Sequence, residues 1–140
     1  MKVVIDTNVV VSAHLNGAGL PAAILDLASS KMILMCISAA IMAEYEDVLR
    51  RPQLKLDPAR TAGSLDVIRN TSRLVKPTRT IAVAADESDN RFLECASTAN
   101  ADFIVTGSTK HFPEHFELIR IVTPREFIEF IAPVLAQHRL

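Results

Sequence analysis

Asp6, Glu44 and Asp89 are the residues through which this 140-residue chain could do chemistry. Asp6 ends the run Lys2-Val3-Val4-Ile5, a short β-branched apolar segment that reads as a buried strand. In a parallel sheet the residue after such a strand lies at the carboxyl edge, where open α/β sheets bind ligands. Glu44 falls beside Ile41 and Val48 at helical spacing, on or next to the apolar stripe that includes Tyr45. Asp89 belongs to Asp86-Glu87-Ser88-Asp89-Asn90, which leads into Arg91-Phe92-Leu93. Carboxylates gathered in one small site repel, and each raises its neighbour's pKa unless a cation sits between them. Oxygen donors without histidine or cysteine favour hard Mg²⁺ or Mn²⁺ over Zn²⁺.

Each acid also has a structural reading. Asp86 can serve as a helix N-cap with Asp89 as its capping-box partner. Glu44 can join Glu46 and Asp47 on a solvated helix face.

The elements that must position these residues alternate between strand and helix. After Asp6, the residues Gly17, Gly19 and Pro21 mark a loop, and Ala22–Ser30 reads as a helix. Met32–Ile37 reads as a second buried strand. Ser38 is placed to cap a helix from Ala39 to about Arg50, ended by Pro52. Asp57-Pro58 opens a further helix to about Asn70. Arg73–Lys76, Ala101–Thr106 and Leu118–Val122 supply the remaining strands. Thr123-Pro124-Arg125-Glu126 combines cap, first-turn proline and capping-box acid, the clearest helix start in the chain. Right-handed crossovers turn this order into a three-layer α/β/α sandwich around a mainly parallel sheet of four to five strands, with residues 1–140 as one domain. Asp6, Glu44 and Ser108 then follow strands that end on one edge.

The order and spacing of these motifs resemble the PIN-domain family. The resemblance rests on Val4-Ile5-Asp6-Thr7-Asn8, on Glu44 before Val48-Leu49, and on Asp86-x-x-Asp89-Asn90-Arg91-Phe92-Leu93. It continues through Ala101–Gly107 and closes with Ile121–Phe127. Within the family, the chain is most similar to the bacterial and archaeal branch of toxin components of toxin–antitoxin pairs, the VapC-like proteins. The resemblance implies a Mg²⁺- or Mn²⁺-dependent ribonuclease with Asp6, Glu44 and Asp89 as metal-binding acids. It implies Asn8 and Thr106 as supporting polar residues and Asp86 as an additional acid. It also implies an RNA substrate, an antitoxin protein partner and a homodimer. One departure stands out: Thr106-Gly107 is followed by Ser108, where the family commonly has Asp. A serine supplies a hydroxyl but no charge, which leaves a catalytically weakened, metal- or RNA-binding regulatory module as the alternative function. Lys110 and His111 are expected to reach substrate phosphate. His111 and His115 have metal-like spacing, but Pro113 breaks any helix that would align them.

Composition narrows the function classes. An apolar fraction of 49% and a charged fraction of 22% are those of a globular domain, and no apolar stretch has the length of a membrane span. Cys36 and Cys95 lie in apolar segments and are expected to be buried free thiols, as in a reducing cytoplasm. The net charge of −1 conceals an asymmetry: Arg50–Arg79 holds eight bases and two acids, a local balance of +6. Such a stretch suggests a polyanionic partner or a positive rim beside an acidic site. Phosphotransfer folds that also end their first strand in Asp fit less well. The dehalogenase-like pattern has a second Asp where Asn8 stands, and a receiver needs an Asp after its third strand, where Lys76-Pro77-Thr78 offers none.

Overall fold

The computed structural model of the chain describes residues 1–137. Five strands form one sheet: β1 (Lys2–Ile5), β2 (Leu34–Ile37), β3 (Arg73–Leu74), β4 (Phe103–Val105) and β5 (Arg120–Val122). Their order is β3-β2-β1-β4-β5, and every pairing is parallel. Six helices surround it: α1 (Thr7–Leu15), α2 (Leu20–Ser29), α3 (Ala39–Leu49), α4 (Pro58–Thr71), α5 (Asn90–Ala99) and α6 (Pro124–Gln137). The expected three-layer α/β/α architecture is therefore present.

The central strands are apolar because both of their faces are covered. Val3, Val4 and Ile5 of β1 and Ile104 and Val105 of β4 are fully buried. Helix α5 packs across β1, β2 and β4, and Phe103 of β4 meets Phe127 and Phe130 of α6 edge to face, with centroids 5.3 and 5.0 Å apart. Cys36 and Cys95 are buried and free. No single described helix is long and apolar enough to cross a membrane.

Three helix starts follow their local chemistry. The Ser38 hydroxyl accepts the Ile41 N–H at 3.2 Å, and the Asp57 carboxylate accepts the Arg60 N–H at 2.9 Å. Thr123 and Glu126 form a reciprocal capping box, with bonds of 3.0 and 3.1 Å.

Two expectations are corrected. The loop marked by Gly17 and Gly19 is present, but Pro21 belongs to α2, and the residues between Asp6 and that loop form the unexpected helix α1, which follows β1 after Asp6 alone. Its valine run disguised it, since β-branched residues lower helix propensity and its apolar residues show no clean 3.6-residue stripe. Tertiary burial of Val9, Val10 and Ala13 holds it instead. The helix expected from Asp86 begins at Asn90, after a single 3₁₀ turn at Glu87–Asp89.

The sheet order reverses direction between β1 and β4. From β1 the chain moves outward to β2 and β3, then returns to lay β4 on the other side of β1. Ligands of open α/β sheets bind outside the carboxyl ends of the strands at such a reversal. The residues that leave those two strand ends are Asp6 and Thr106.

Candidate active site

Asp6 and Thr106 extend the strands they follow. The Asp6 N–H bonds the Val105 carbonyl, and the Thr106 N–H bonds the Val122 carbonyl, both at 2.9 Å. Both side chains are buried, Asp6 at 7% exposure and Thr106 at 0%. The Thr106 hydroxyl donates to Asp6 Oδ2 at 2.7 Å and accepts the Ser108 N–H at 3.0 Å. A relay from the Ser108 backbone through Thr106 therefore fixes one oxygen of Asp6. Burial raises the Asp6 pKa above the usual carboxylate value, against the lowering effect of the Thr106 and Thr7 hydrogen bonds. The Glu44 charge raises it further, while His111 lowers it.

Glu44 reaches the same place from α3. Its Oε2 accepts a bond from the Thr7 hydroxyl, and Thr7 is the residue after Asp6. Tyr45, fully buried, donates its hydroxyl to the carbonyl of Ile5, the residue before Asp6. Each flank of Asp6 is thus tied to α3 at Glu44 or its neighbour. The Glu44 charge raises the pKa of both Asp6 and Asp89, so the three carboxylates lie close enough to repel one another.

Asp89 arrives from the 3₁₀ turn. The expected capping box does not form: Asp86 Oδ1 accepts the Ser88 N–H and hydroxyl at 3.1 and 3.0 Å, whereas the Asp89 side chain caps nothing. A carboxylate free of that duty is pushed up to about 6, first by burial and then by the charges of Asp6 and Asp86, with Glu44 adding to them. His111 acts in the opposite direction. Asp86 is thereby both a cap and an acid beside Asp89.

The supporting residues separate into two groups. Asn8, at the start of α1, accepts the Gly107 N–H at 3.0 Å and donates to the Ser108 hydroxyl at 3.5 Å, so it ties α1 to the loop after β4. His111 shares a cleft of about 400 Å³ with Ala85, Asp86 and Glu87, and its charge lowers the pKa of Asp6 and Asp89. Lys110 lines a different cleft with Phe112, Pro113 and Glu126, so the structure does not bring it to the acids. His115 is exposed, with Nε2 4.0 Å from a Glu114 carboxylate oxygen.

Sequence reasoning missed Thr7 and Tyr45. Their adjacency to Asp6 and Glu44 was the available signal. It also missed Asn90, buried at 1% exposure, whose Oδ1 accepts the Val83 and Ala84 N–H groups at 3.1 and 2.8 Å. That side chain anchors the loop leading to Asp86.

The donor set fits a hard divalent cation. It consists of carboxylate oxygens whose mutual repulsion and burial raise two of them above their usual range, a state that a cation between them relieves. Among the described residues no group of three acidic, histidine or cysteine side chains stands preassembled as a cage. Glu44 is turned to Thr7 rather than to a common centre.

A family model described as PIN domain matches residues 2–110, more than three quarters of the chain. The chain belongs to the PIN-domain family. PIN domains are generally nucleases that use divalent metal ions. An uncharacterised protein of Methanocaldococcus jannaschii is 32% identical over 141 aligned positions, which cover 92% of this chain and 90% of that protein. A chain in the crystal structure of VapBC2 from Rickettsia felis, bound to a DNA fragment from its promoter, has a similar fold. Its TM-score is 0.57 at 15% identity, covering 88% of this PIN domain and 98% of that chain.

Proposed function

We propose that this PIN domain is a Mg²⁺- or Mn²⁺-dependent endoribonuclease and the toxin of a toxin–antitoxin pair. The observation that supports it best is the set of Asp6, Glu44 and Asp89 at the sheet's switch point, with two of the three carboxyls raised by burial and by each other. A bound Mg²⁺ or Mn²⁺ would supply Lewis acidity to the attacking water and to a non-bridging phosphate oxygen. Asp6 and Asp89 would be the principal residues holding it, with Glu44 as a third, direct or through water. Thr106 holds Asp6 in one orientation, so the acid does not reorganise as charge develops. Deprotonation of the attacking water would fall to the metal site or to one of these acids. His111, in the cleft it shares with Asp86, contacts the phosphate backbone.

The assay is cleavage of single-stranded RNA under Mn²⁺ titration by wild type and by Asp6→Asn. Wild type cleaves, and the variant loses at least a thousandfold of activity while keeping its circular dichroism spectrum. Equal cleavage by a folded variant would overturn the mechanism.

The partner reading draws on the likeness to VapBC2: a small antitoxin protein made from a neighbouring gene, with both proteins cytoplasmic. A homodimer is expected through α6, where Phe130 remains 43% exposed. The apolar residues of α3 contribute less, because Ile41, Met42, Tyr45 and Leu49 are buried within the domain.

A second reading rests on Ser108, which offers the site a hydroxyl within reach of Asn8 and no charge. In that reading the domain binds metal or RNA without turnover. Calorimetry with Mn²⁺, run beside the cleavage assay, separates the two.

A further inference from the structure

The basic stretch Arg50–Arg79 is untouched by the acid site, and the fold divides it unevenly. Arg69 pairs with Glu46 and Asp66, and Arg79 with Glu117. Arg50, Lys55 and Arg60 are exposed and form no ion pair among the described residues. All three lie on or beside the connection between α3 and α4. There, Arg50, Arg51 and Lys55 stand around a pocket of about 300 Å³ floored by Pro52, Leu56 and Pro58, and no acid lines it. Of the two nearest acids in sequence, Asp47 pairs with the pocket's own Arg51 at 3.1 Å, which leaves Arg50 and Lys55 as its unpaired cations, and Asp57 caps α4. Lys55 has φ 54°, a left-handed backbone conformation uncommon for a residue with a side chain.

The pocket also has a fixed relation to the acids. Glu44 lies five residues before the end of α3 at Leu49, roughly 8 Å along the helix, and Arg51 follows two residues later. The Arg51 N–H bonds the Val48 carbonyl at 3.2 Å, a turn that joins the end of α3 directly to the pocket wall. A nucleic-acid strand lying along α3 from the carboxylates would meet three cations over an apolar floor. Cations neutralise backbone phosphate, and apolar surface accepts the face of a base.

We propose that this pocket is a nucleotide subsite for the RNA strand, which seats one phosphate among Arg50, Arg51 and Lys55 and its base on Pro52, Leu56 and Pro58. The proposal rests on the ribonuclease reading above.

The test is fluorescence anisotropy of a labelled single-stranded oligoribonucleotide of about 12 nucleotides, with protein in EDTA, across a salt series. The double variant Arg50→Glu/Lys55→Glu is expected to bind at least tenfold more weakly. Its plot of log affinity against log salt should flatten by roughly 0.7, the slope of one phosphate contact on a single strand. Arg50→Lys/Lys55→Arg restores binding, and Asp6→Asn leaves it intact. With Mn²⁺, the charge-reversed variant raises KM on the long strand with kcat within twofold, and cleaves a dinucleotide like wild type. Wild-type affinity and salt slope in the folded charge-reversed variant would overturn the subsite. So would wild type that fails to bind the strand, or adenosine monophosphate that binds as tightly as the strand. Strand binding that depends on Arg50 and Lys55 without cleavage by wild type would sink the ribonuclease reading and leave the subsite standing.

Discussion

Two groups of acids flank Asn90, and the protein treats them in opposite ways. Glu87 and Glu94 both close on Arg91, at 2.9 and 2.7 Å, and Glu94 also accepts the Ile81 N–H at 2.9 Å. One base of α5, Arg91, bridges the two, and the Glu94 bond to Ile81 ties the preceding loop to the helix. Asp6 and Glu44 receive hydroxyl or amide donors, and none of Asp6, Glu44 and Asp89 pairs with an arginine or lysine among the described residues. A base was within evolutionary reach one turn away, yet the edge acids stay unmatched. The contrast separates acids that hold the fold from acids kept for a charged guest.

The largest effect that would break this contrast comes from Asp89→Asn. Mn²⁺-dependent cleavage should fall by at least a hundredfold, while the metal-free protein melts at the same temperature or higher, because one repelling charge is gone. A lowered melting temperature would place Asp89 with the structural acids. Arg91→Gln is the mirror test. It strands Glu94, which is only 9% exposed, and should cost about 2 kcal/mol in urea unfolding. Cleavage per folded molecule should stay within a few-fold of wild type.

Metal binding gives the next effect. At a hundredfold excess over its dissociation constant, Mn²⁺ should stabilise wild type by about 2.7 kcal/mol, read as a rise of several degrees in Tm. Asp6→Asn should lose most of that rise, and Arg91→Gln none of it. The smallest effect is on pH dependence. A carboxyl with a higher pKa folded than unfolded binds its proton more tightly when folded, so folding gains as pH falls. For Asp89 the gain is complete below about 3.8 and is lost as pH rises through about 6. In the absence of metal, wild type should therefore gain stability relative to Asp89→Asn as pH is lowered across that window. Parallel curves for the two proteins would remove Asp89 from the coupled site.

Much of this was legible in the sequence, for reasons that differ by element. Ser38, Asp57 and Thr123 announce helix starts because capping is local chemistry, complete within four residues. The β1 run is legible because burial on both faces leaves no polar positions. Helix α1 was not, since its valines argue for a strand and only contacts with distant segments decide otherwise. Within the site, Asp6, Glu44 and Asp89 could be named from type and spacing. The hydroxyl of Thr7, the Tyr45 bond to Ile5 and the separate clefts of Lys110 and His111 could not, since each depends on which side chains the fold brings face to face.

The bond from Tyr45 to the Ile5 carbonyl carries a consequence for engineering. Tyr45 adjoins Glu44 and Ile5 adjoins Asp6, so a hydrogen bond inside the hydrophobic interior joins the immediate neighbours of two site acids. The acid set is therefore not a detachable cassette. Grafting Asp6, Glu44 and Asp89 onto another parallel sheet would transfer the carboxylates without the buried phenol that keeps two of them in step. A working transplant would have to carry Thr7 and Tyr45 with the acids, together with enough of α3 to keep that phenol dry.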